Sequence, residues 1–578
     1  MKNRQIADIF EKVADMMAIR GDNRHRILAY RNGAESIRGL GRDINSVYEA
    51  GKLEEIHGIG ATLAEKIEEM LTTGRLEYYE RLAEDVPPEL TDLLRVEGLG
   101  PKRVKTVYDS LGVTTLEELR TAAEEGKIRT LSGMGKKTEE KILTAIEILE
   151  RYGTDRTPIW TAYPVAHELL DELKALPGIT RAAVGGSLRR MEETIGDIDL
   201  LVAADDPEPV MERFRDLPQV EQVIVSGPSK TTVQLHNGLQ VDLRVLPEAR
   251  WGTLLSYFTG NKAHNIRLRE MALQEGLSLN EHAFRPIVDG EISDEGEILC
   301  ADEACVYEKL GLPYIPPRLR QDRGEIEAAQ EDMLPHLVEL EDIIADLHMH
   351  TEWSDGRLSV VEMAQAAKER GLQYIAITDH SVSLGIAGGL SVERLWEQAE
   401  AIRAANEKLG PDFRILHGTE MEIRADGTLD FADDILGQLD FVIASLHVSL
   451  SQPREEVMRR ALTAIENPHV DMLAHPTGRL LPDRAGADLD MERIVAAAAR
   501  NNTILEVNAN PHRLDLRDSH VRLATEAGVK LAINTDAHSP PDFGLLHYGV
   551  ATAQRGWATP DDVVNTWPVQ KLLDFIEG

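Results

Sequence analysis

The chain has 578 residues, 42% hydrophobic and 28% charged, which is the composition of a folded protein with length for three to five domains. No run approaches the roughly 18 apolar residues a membrane span needs, and two cysteines, Cys300 and Cys305, rule out a disulfide framework or a four-cysteine zinc site. The formal net charge of −36 argues against a protein that binds nucleic acid over its whole surface, but residues 1–150 carry 23 Lys+Arg against 28 Asp+Glu, so the acidity lies mostly downstream.

The N-terminal MKNRQIADIFEKVADMM is amphipathic, with acids throughout and no apolar core of a secretion signal; a reducing cytoplasm and ordinary thiols are the expectation. Residues 1–150 read as helices joined by glycine turns. Three segments share one pattern: LEEIHGIGATLAEKI (53–67), LLRVEGLGPKRVKTV (93–107) and IRTLSGMGKKTEEKI (128–142). Each predicts a helix, an apolar-Gly-apolar-Gly turn and a second helix whose first N–H groups can face a phosphate. Lys102, Lys136 and Lys137 follow two of the turns. The pattern is that of helix-hairpin-helix modules, which hold a DNA backbone without reading bases.

From about 160 to 317 strands and helices mix. In GDIDLLVAA, Asp197 and Asp199 are two residues apart on a strand and project to one face. In LQVDLRVL, Asp242 faces out from a strand that alternates inward at Leu239, Val241, Leu243 and Val245. Like charges on one face are costly unless a cation sits between them. Three carboxylates on neighbouring strands can hold two Mg²⁺ about 3.5–4 Å apart, one to activate an attacking hydroxyl and one to neutralise a triphosphate. Upstream, Gly186 and Ser187 begin a helical turn whose N–H groups and hydroxyl, with Arg190, can grip that triphosphate. The other reading is a surface hairpin with solvated acids.

Residues 316–342 begin Pro-Pro, are charged, and read as a linker containing a helix. Beyond them seven apolar strands are predicted at 343–348, 374–378, 414–419, 441–446, 470–474, 503–507 and 530–534, with helical segments between most. That is the βα rhythm of a barrel one strand short of eight. Residues 344–578 hold 11 of the 18 histidines. His348, His350, Asp355, His380, Glu420, His447, His475, Asp536 and His538 fall at predicted strand ends or in the loops that follow, which converge on one face of a barrel. Nine N and O ligands suit two or three divalent ions, with Mn²⁺, Zn²⁺ or Fe²⁺ favoured. His417, His469, His512, His520 and His547 are read as non-ligands.

Three groups of motifs carry a resemblance. GGSLRR…GDIDLLV, VDLRV and SYFTGNKAHNIRLREMALQEGLSLNEHAF, together with the helical repeats, resemble family X DNA polymerases, the group of DNA polymerase beta, over about residues 1–317. The resemblance implies that Asp197, Asp199 and Asp242 ligate Mg²⁺ or Mn²⁺, and that Gly186, Ser187 and Arg190 bind the dNTP triphosphate. It implies that Tyr257, Phe258 and Gly260 of YFTG line the sugar pocket, and that Asn265 and Arg269 face the nascent base pair. Lys262 stands where that group has an acid. HRILAYRNGAESI (25–37) and GIGATLAEKI resemble its lyase domain, with Lys66 at the Schiff-base position and Thr62 where a basic residue is usual.

The ligand set of 344–578 resembles the PHP (polymerase and histidinol phosphatase) domain. This implies a trinuclear metal phosphoesterase in which Arg479 stabilises the transition state. The expected fold class is multidomain: an all-α helix-hairpin-helix N-terminal region, an α+β nucleotidyltransferase palm and thumb, and a distorted (β/α)7 PHP barrel. The expected domains are 1–85 (lyase-like), 86–150 (fingers), 151–260 (palm), 261–317 (thumb), 318–343 (linker) and 344–578 (PHP).

The expected function is template-directed gap filling in DNA repair with a separate Mn²⁺-dependent 3′→5′ exonuclease, AP-endonuclease or 3′-phosphatase site. The partners are gapped or primed duplex DNA and dNTPs, with no membrane. The expected state is a monomer in a bacterial cytoplasm, associated with the nucleoid. Two other readings compete: a DNA-end-binding scaffold with weak polymerase and an inactive PHP domain, and a PHP phosphoesterase with untemplated nucleotidyl transfer. A missing ligand would mark the first, and none is missing; template dependence separates the second.

Overall fold

The computed structural model describes the chain apart from residues 2, 40–43, 57, 97–98, 141, 144–145, 147–155, 485 and 578. It divides into two units: Met1–Leu188, Thr194–Phe258 and Ser278–Glu303 form the first, and Arg189–Glu193, Thr259–Leu277 and Ala304–Gly578 the second.

The first unit opens with helices whose buried faces include Phe10, Met17, Ile67, Leu93 and Val107. The glycine turns form as their pattern predicts. Gly58 and Gly133 take φ of +78° and +75°, open to glycine at little cost, while Gly98 lies outside the described residues. Gly60 and Gly100 are extended N-caps of the helices Ala61–Thr73 and Pro101–Leu111. Lys102, Lys136 and Lys137 are exposed near the turns.

The same unit contains a five-stranded sheet in the order Arg181–Val184, Ile198–Ala203, Gln240–Leu246, Lys230–Leu235, Val220–Ser226. The strand Arg181–Val184 ends before the two glycines, and from Gly186, at φ +58°, the chain turns into the expected short helix, Gly186–Arg189. Neither cysteine is free: Cys300 and Cys305 are both disulfide-bonded, contrary to the expectation of ordinary thiols.

In the second unit seven parallel strands run in chain order: Ala345–Asp346, Tyr374–Ile377, Arg414–Glu422, Phe441–Ser445, Met472–Leu473, Ile504–Asn508 and Leu531–Asn534. All seven coincide with predicted strands. The first and last come together at a parallel bridge, Met349 to Ala537, and the His350 N–H donates to the Ala537 carbonyl at 2.8 Å, so the barrel is nearly closed.

Alternate strand residues split between two cores, as a period of two requires. Tyr374, Ala376, Leu416, Phe441, Ile443, Ile504 and Ala532 join one cluster with Leu572 of the C-terminal helix Val569–Ile576. Ile375, Ile415, Val442, Leu505 and Ile533 pack in another with residues of the surrounding helices. Ser359, Ser391 and Asp490 cap three of those helices by accepting from the N–H groups of Glu362, Arg394 and Arg493, each cap contributing about 1 kcal/mol. The stretch read as a linker carries the helix Glu325–Gln330, and its Ile326 and Ala329 are buried.

Candidate functional site

Two carboxylate-bearing constellations stand in the fold. In the first unit, Ile198–Ala203 and Gln240–Leu246 are parallel neighbours whose register sets Asp199 directly opposite Asp242. Asp197 immediately precedes the first of these strands. Burial, then the charges of Asp197 and Asp242, push the Asp199 carboxyl up to about 7. Lys230 Nζ lies 2.9 Å from Asp242 Oδ2, while buried Asp242 Oδ1 has no hydrogen-bond partner.

The turn at Gly185–Gly186 is built onto Asp199. The Gly185 N–H donates to the Asp199 carbonyl at 2.8 Å, and a Cβ on Gly186 would stand 2.3 Å from Asp199 Oδ2. Ser187 follows in the same helical turn. Tyr257 and Phe258 end the helix Trp251–Thr259 with their rings 5.3 Å apart, and the Arg244 guanidinium lies 4.7 Å from the Phe258 ring. Lys66 Nζ is 5.0 Å from the Tyr78 ring, which stacks on Tyr30.

The remaining nucleotide-contact candidates belong to the second unit. Arg190 donates to the Thr259 carbonyl at 2.9 Å and lies 3.4 Å from Glu192. Asn265 donates to the Gly260 carbonyl at 3.0 Å, and a Cβ on Gly260 would collide with the Asn265 amide. Arg269, one helical turn beyond Asn265 in Lys262–Gln274, is exposed.

The second constellation crowns the barrel. The alternation that buries Tyr374 and Ala376 continues to His380; likewise Leu416 leads to Glu420, Ile443 to His447 and Ala532 to Asp536. All nine expected ligands come together in four overlapping groups: His350, Asp355, His380 and His538; His348, Glu420 and His475; His348, His350 and Asp536; His380, Glu420 and His447. Within each group the ligand atoms lie within 4.8 Å of one another.

Glu420 is central, with carboxylate oxygens 2.8 Å from His380 Nδ1, 3.0 Å from His475 Nε2 and 3.3 Å from His447 Nε2. His475 and Asp536 hold φ of +26° and +55°, strained conformations costing about 1–3 kcal/mol each that concentrate at functional sites. Burial disfavours a charged imidazole here, but Glu420 and Asp355 outweigh it and raise His380 to about 10; Glu420 and Glu422 likewise raise His447 to about 9.

Buried polar atoms are rarely left without a partner. Yet His348 Nε2, His350 Nδ1, His380 Nδ1, both nitrogens of His475 and both oxygens of Glu420 have none with hydrogen-bond geometry, although they face one another. Six imidazoles and three carboxylates converging with orphaned lone pairs fit divalent cations. The first constellation passes the same test, with three carboxylates together and an orphaned Asp242 oxygen.

Several residues not singled out from the sequence belong to the second constellation. Glu506 accepts from His348 Nδ1 at 2.7 Å and from the His475 N–H at 2.6 Å. Glu422 accepts from His447 Nδ1 at 2.8 Å. These contacts orient both imidazoles with their Nε2 atoms facing Glu420. Both glutamates continue the inward parity of their strands, the one signal that could have found them. Arg479, expected over the reacting phosphate, instead pairs with Glu193 at 2.5 Å and with the Leu514 carbonyl.

The helix-hairpin-helix domain family matches residues 1–76 and the SAM-like helix-hairpin-helix tandem 90–147. The DNA polymerase beta thumb matches 254–321, and the PHP domain matches 346–510, short of Asp536 and His538. The chain is 40% identical over 579 residues, the whole of both proteins, to the DNA polymerase/3′-5′ exonuclease PolX of Bacillus subtilis (strain 168). Over 41% of its length it is 30% identical to 95% of a probable phosphatase of Thermoanaerobacter sp. (strain X514). It is 27% identical to DNA polymerase lambda of Rattus norvegicus over 55% of this chain and 56% of that one. Full-length similarity, a polymerase beta thumb and a PHP barrel with its ligands assembled place this chain in the family X DNA polymerases that carry a C-terminal PHP domain.

Proposed function

We propose that this protein fills short gaps in DNA during repair by template-directed dNTP addition and trims 3′ ends at a second, independent site. The observation that carries the reading is that one chain holds two separate cation-binding constellations, Asp197–Asp199–Asp242 and the nine-residue cluster of the barrel.

At the polymerase site Asp197, Asp199 and Asp242 hold Mg²⁺ or Mn²⁺. When bound, the ions supply activation of the primer 3′-hydroxyl and neutralisation of the triphosphate. Lys230 balances the charge of Asp242 beforehand. The N–H groups at Gly186 and the Ser187 hydroxyl bind phosphate oxygens, and the missing Cβ of Gly186 leaves room beside Asp199. Tyr257, Phe258 and Gly260 contact the sugar, Arg190 the triphosphate, and Asn265 and Arg269 the nascent pair.

At the barrel site the six histidines with Asp355, Glu420 and Asp536 hold two or three Mn²⁺, Zn²⁺ or Fe²⁺ ions. When bound, these supply Lewis-acid polarisation of the scissile phosphodiester. Glu506 and Glu422 orient His348 and His447, and near-complete burial of Glu420 excludes bulk water from the centre. The probable phosphatases that align with this region favour a second reading of the same site, removal of 3′-phosphates.

The helical modules hold the DNA backbone, Lys66 serves a lyase step, and the boundaries 1–85, 86–150, 151–260, 261–317, 318–343 and 344–578 separate these tasks. The protein acts as a monomer in the cytoplasm at the nucleoid; among the described residues no helix is long and apolar enough to cross a membrane.

A 5′-labelled primer on gapped DNA tests the reading. With Mn²⁺ and dNTPs it is extended to fill the gap, with Mn²⁺ alone it is shortened, and with chelator neither occurs. Untemplated extension, or no shortening with any divalent ion, would refute it.

A further inference from the structure

A guanidinium over the non-bridging oxygens adds to the charge stabilisation that metal ions supply, and the arginine expected there is engaged elsewhere. Arg479 is 7% exposed, and its guanidinium pairs with both carboxylate oxygens of Glu193 and with the Leu514 carbonyl. A different arginine stands at the ligands. Arg513 lies in the loop after the strand Ile504–Asn508, with Nε 3.7 Å from Oδ2 of the ligand Asp536 and a side chain only 18% exposed.

The Arg513 backbone is anchored, its N–H donating to the Asn510 carbonyl at 2.7 Å. Among the described residues its only ion-pair contact is Asp536, and neither terminal nitrogen has a hydrogen-bond partner. Arg484 feels the Arg513 charge: burial first, then Arg513, disfavours its own charge while Asp515 favours it, and among the described residues its side chain donates from Nε to the Gly478 carbonyl at 2.8 Å. The Arg513 guanidinium, 18% exposed beside a metal ligand and with its terminal N–H groups unengaged, can fork onto an anion.

From this arrangement we propose that Arg513, and not Arg479, is the catalytic arginine of the barrel site: its terminal N–H groups grip the non-bridging oxygens of the scissile phosphodiester, with Arg484 as an auxiliary contact. The inference rests on the phosphoesterase reading of this site. Arg513 forms no covalent bond and transfers no proton; it holds charge that grows on the phosphoryl oxygens as the ester breaks.

The test uses the full-length protein loaded with Mn²⁺ and compares wild type with Arg513→Gln, Arg513→Lys and Arg479→Ala. Three quantities are read: bound Mn²⁺ per chain, kcat and KM for shortening a single-stranded oligonucleotide, and affinity for inorganic phosphate by calorimetry. Arg513→Gln is expected to keep its Mn²⁺, lose on the order of 10²–10³-fold in kcat/KM, and bind phosphate at least about tenfold more weakly. Arg513→Lys should recover only part of both losses, because an ammonium lacks the fork.

Loss of bound Mn²⁺ in Arg513→Gln would overturn the proposal in favour of a role in supporting Asp536. A larger fall in kcat/KM from Arg479→Ala, or unchanged phosphate affinity in Arg513→Gln, would overturn it too. If the wild type shortens no DNA the phosphoesterase reading fails, and the phosphate affinities then decide the proposal alone.

Discussion

Replacing Glu420 with glutamine removes one charge and one ligand atom while keeping shape, and the structure sets the size of the effect. Glu420 belongs to two of the four ligand groups, and its oxygens lie 2.8–3.5 Å from nitrogens of five histidines. No other carboxylate reaches both His475 and His447 among the described residues. Glu420→Gln therefore weakens two ion positions at once. If the ions contribute about 4 kcal/mol to phosphodiester cleavage, their loss slows it roughly a thousandfold. The assay measures bound Mn²⁺ per chain by elemental analysis beside the rate of 3′ shortening, with dNTP incorporation on gapped DNA as the internal control. The variant should lose at least one ion per chain, shorten DNA about a thousandfold more slowly, and incorporate dNTPs within about twofold of wild type. Full metal content with shortening within tenfold of wild type would show that Glu420 holds no ion needed for cleavage, and equal losses in both activities would show that the two sites are not independent.

Two further outcomes follow from single positions. Gly186→Ala places a methyl 2.3 Å from Asp199 Oδ2 at φ +58°, so dNTP incorporation should fall more than about a hundredfold while 3′ shortening is unchanged; incorporation near wild type would contradict the packing of the turn on Asp199. Burial holds His417 down at about 4 against an ordinary 6.5, with Asp440 opposing. Between those pH values the unfolded chain binds a proton that the folded chain does not, so the barrel loses up to about 3 kcal/mol as pH falls from 6.5 to 4. His417→Gln should flatten that loss when unfolding midpoints at pH 7.5 and 4.5 are compared, and an unchanged slope would count against it.

Much of the barrel was legible in the sequence because strand parity and ligand chemistry coincide there. His380, Glu420, His447 and Asp536 each lie a whole number of two-residue steps beyond a buried apolar residue, so alternation and residue type predict the same face. The groups that support those ligands share that parity but were not singled out from it. Glu506 sits in an apolar strand like any buried acid, and its partner His348 is 158 residues away. Arg479 was expected to be catalytic from the PHP resemblance, while the Glu193 that occupies it is 286 residues distant. In the five-stranded sheet, Asp199 was readable because it lies two residues from Asp197 in a strand-like run, and Asp242 because its strand alternates; their direct apposition needed only that the strands pair in parallel. The helical turn at Gly186 and Ser187 was readable too, and the structure begins it at Gly186 with a φ of +58°.

The claim that one chain carries two independent metal sites is tested most directly by a labelled primer on gapped DNA with Mn²⁺, with and without dNTPs, comparing wild type, Asp242→Ala and His348→Ala. Asp242→Ala should abolish extension and leave shortening intact, and His348→Ala should do the reverse. Loss of both activities in either variant would contradict the claim.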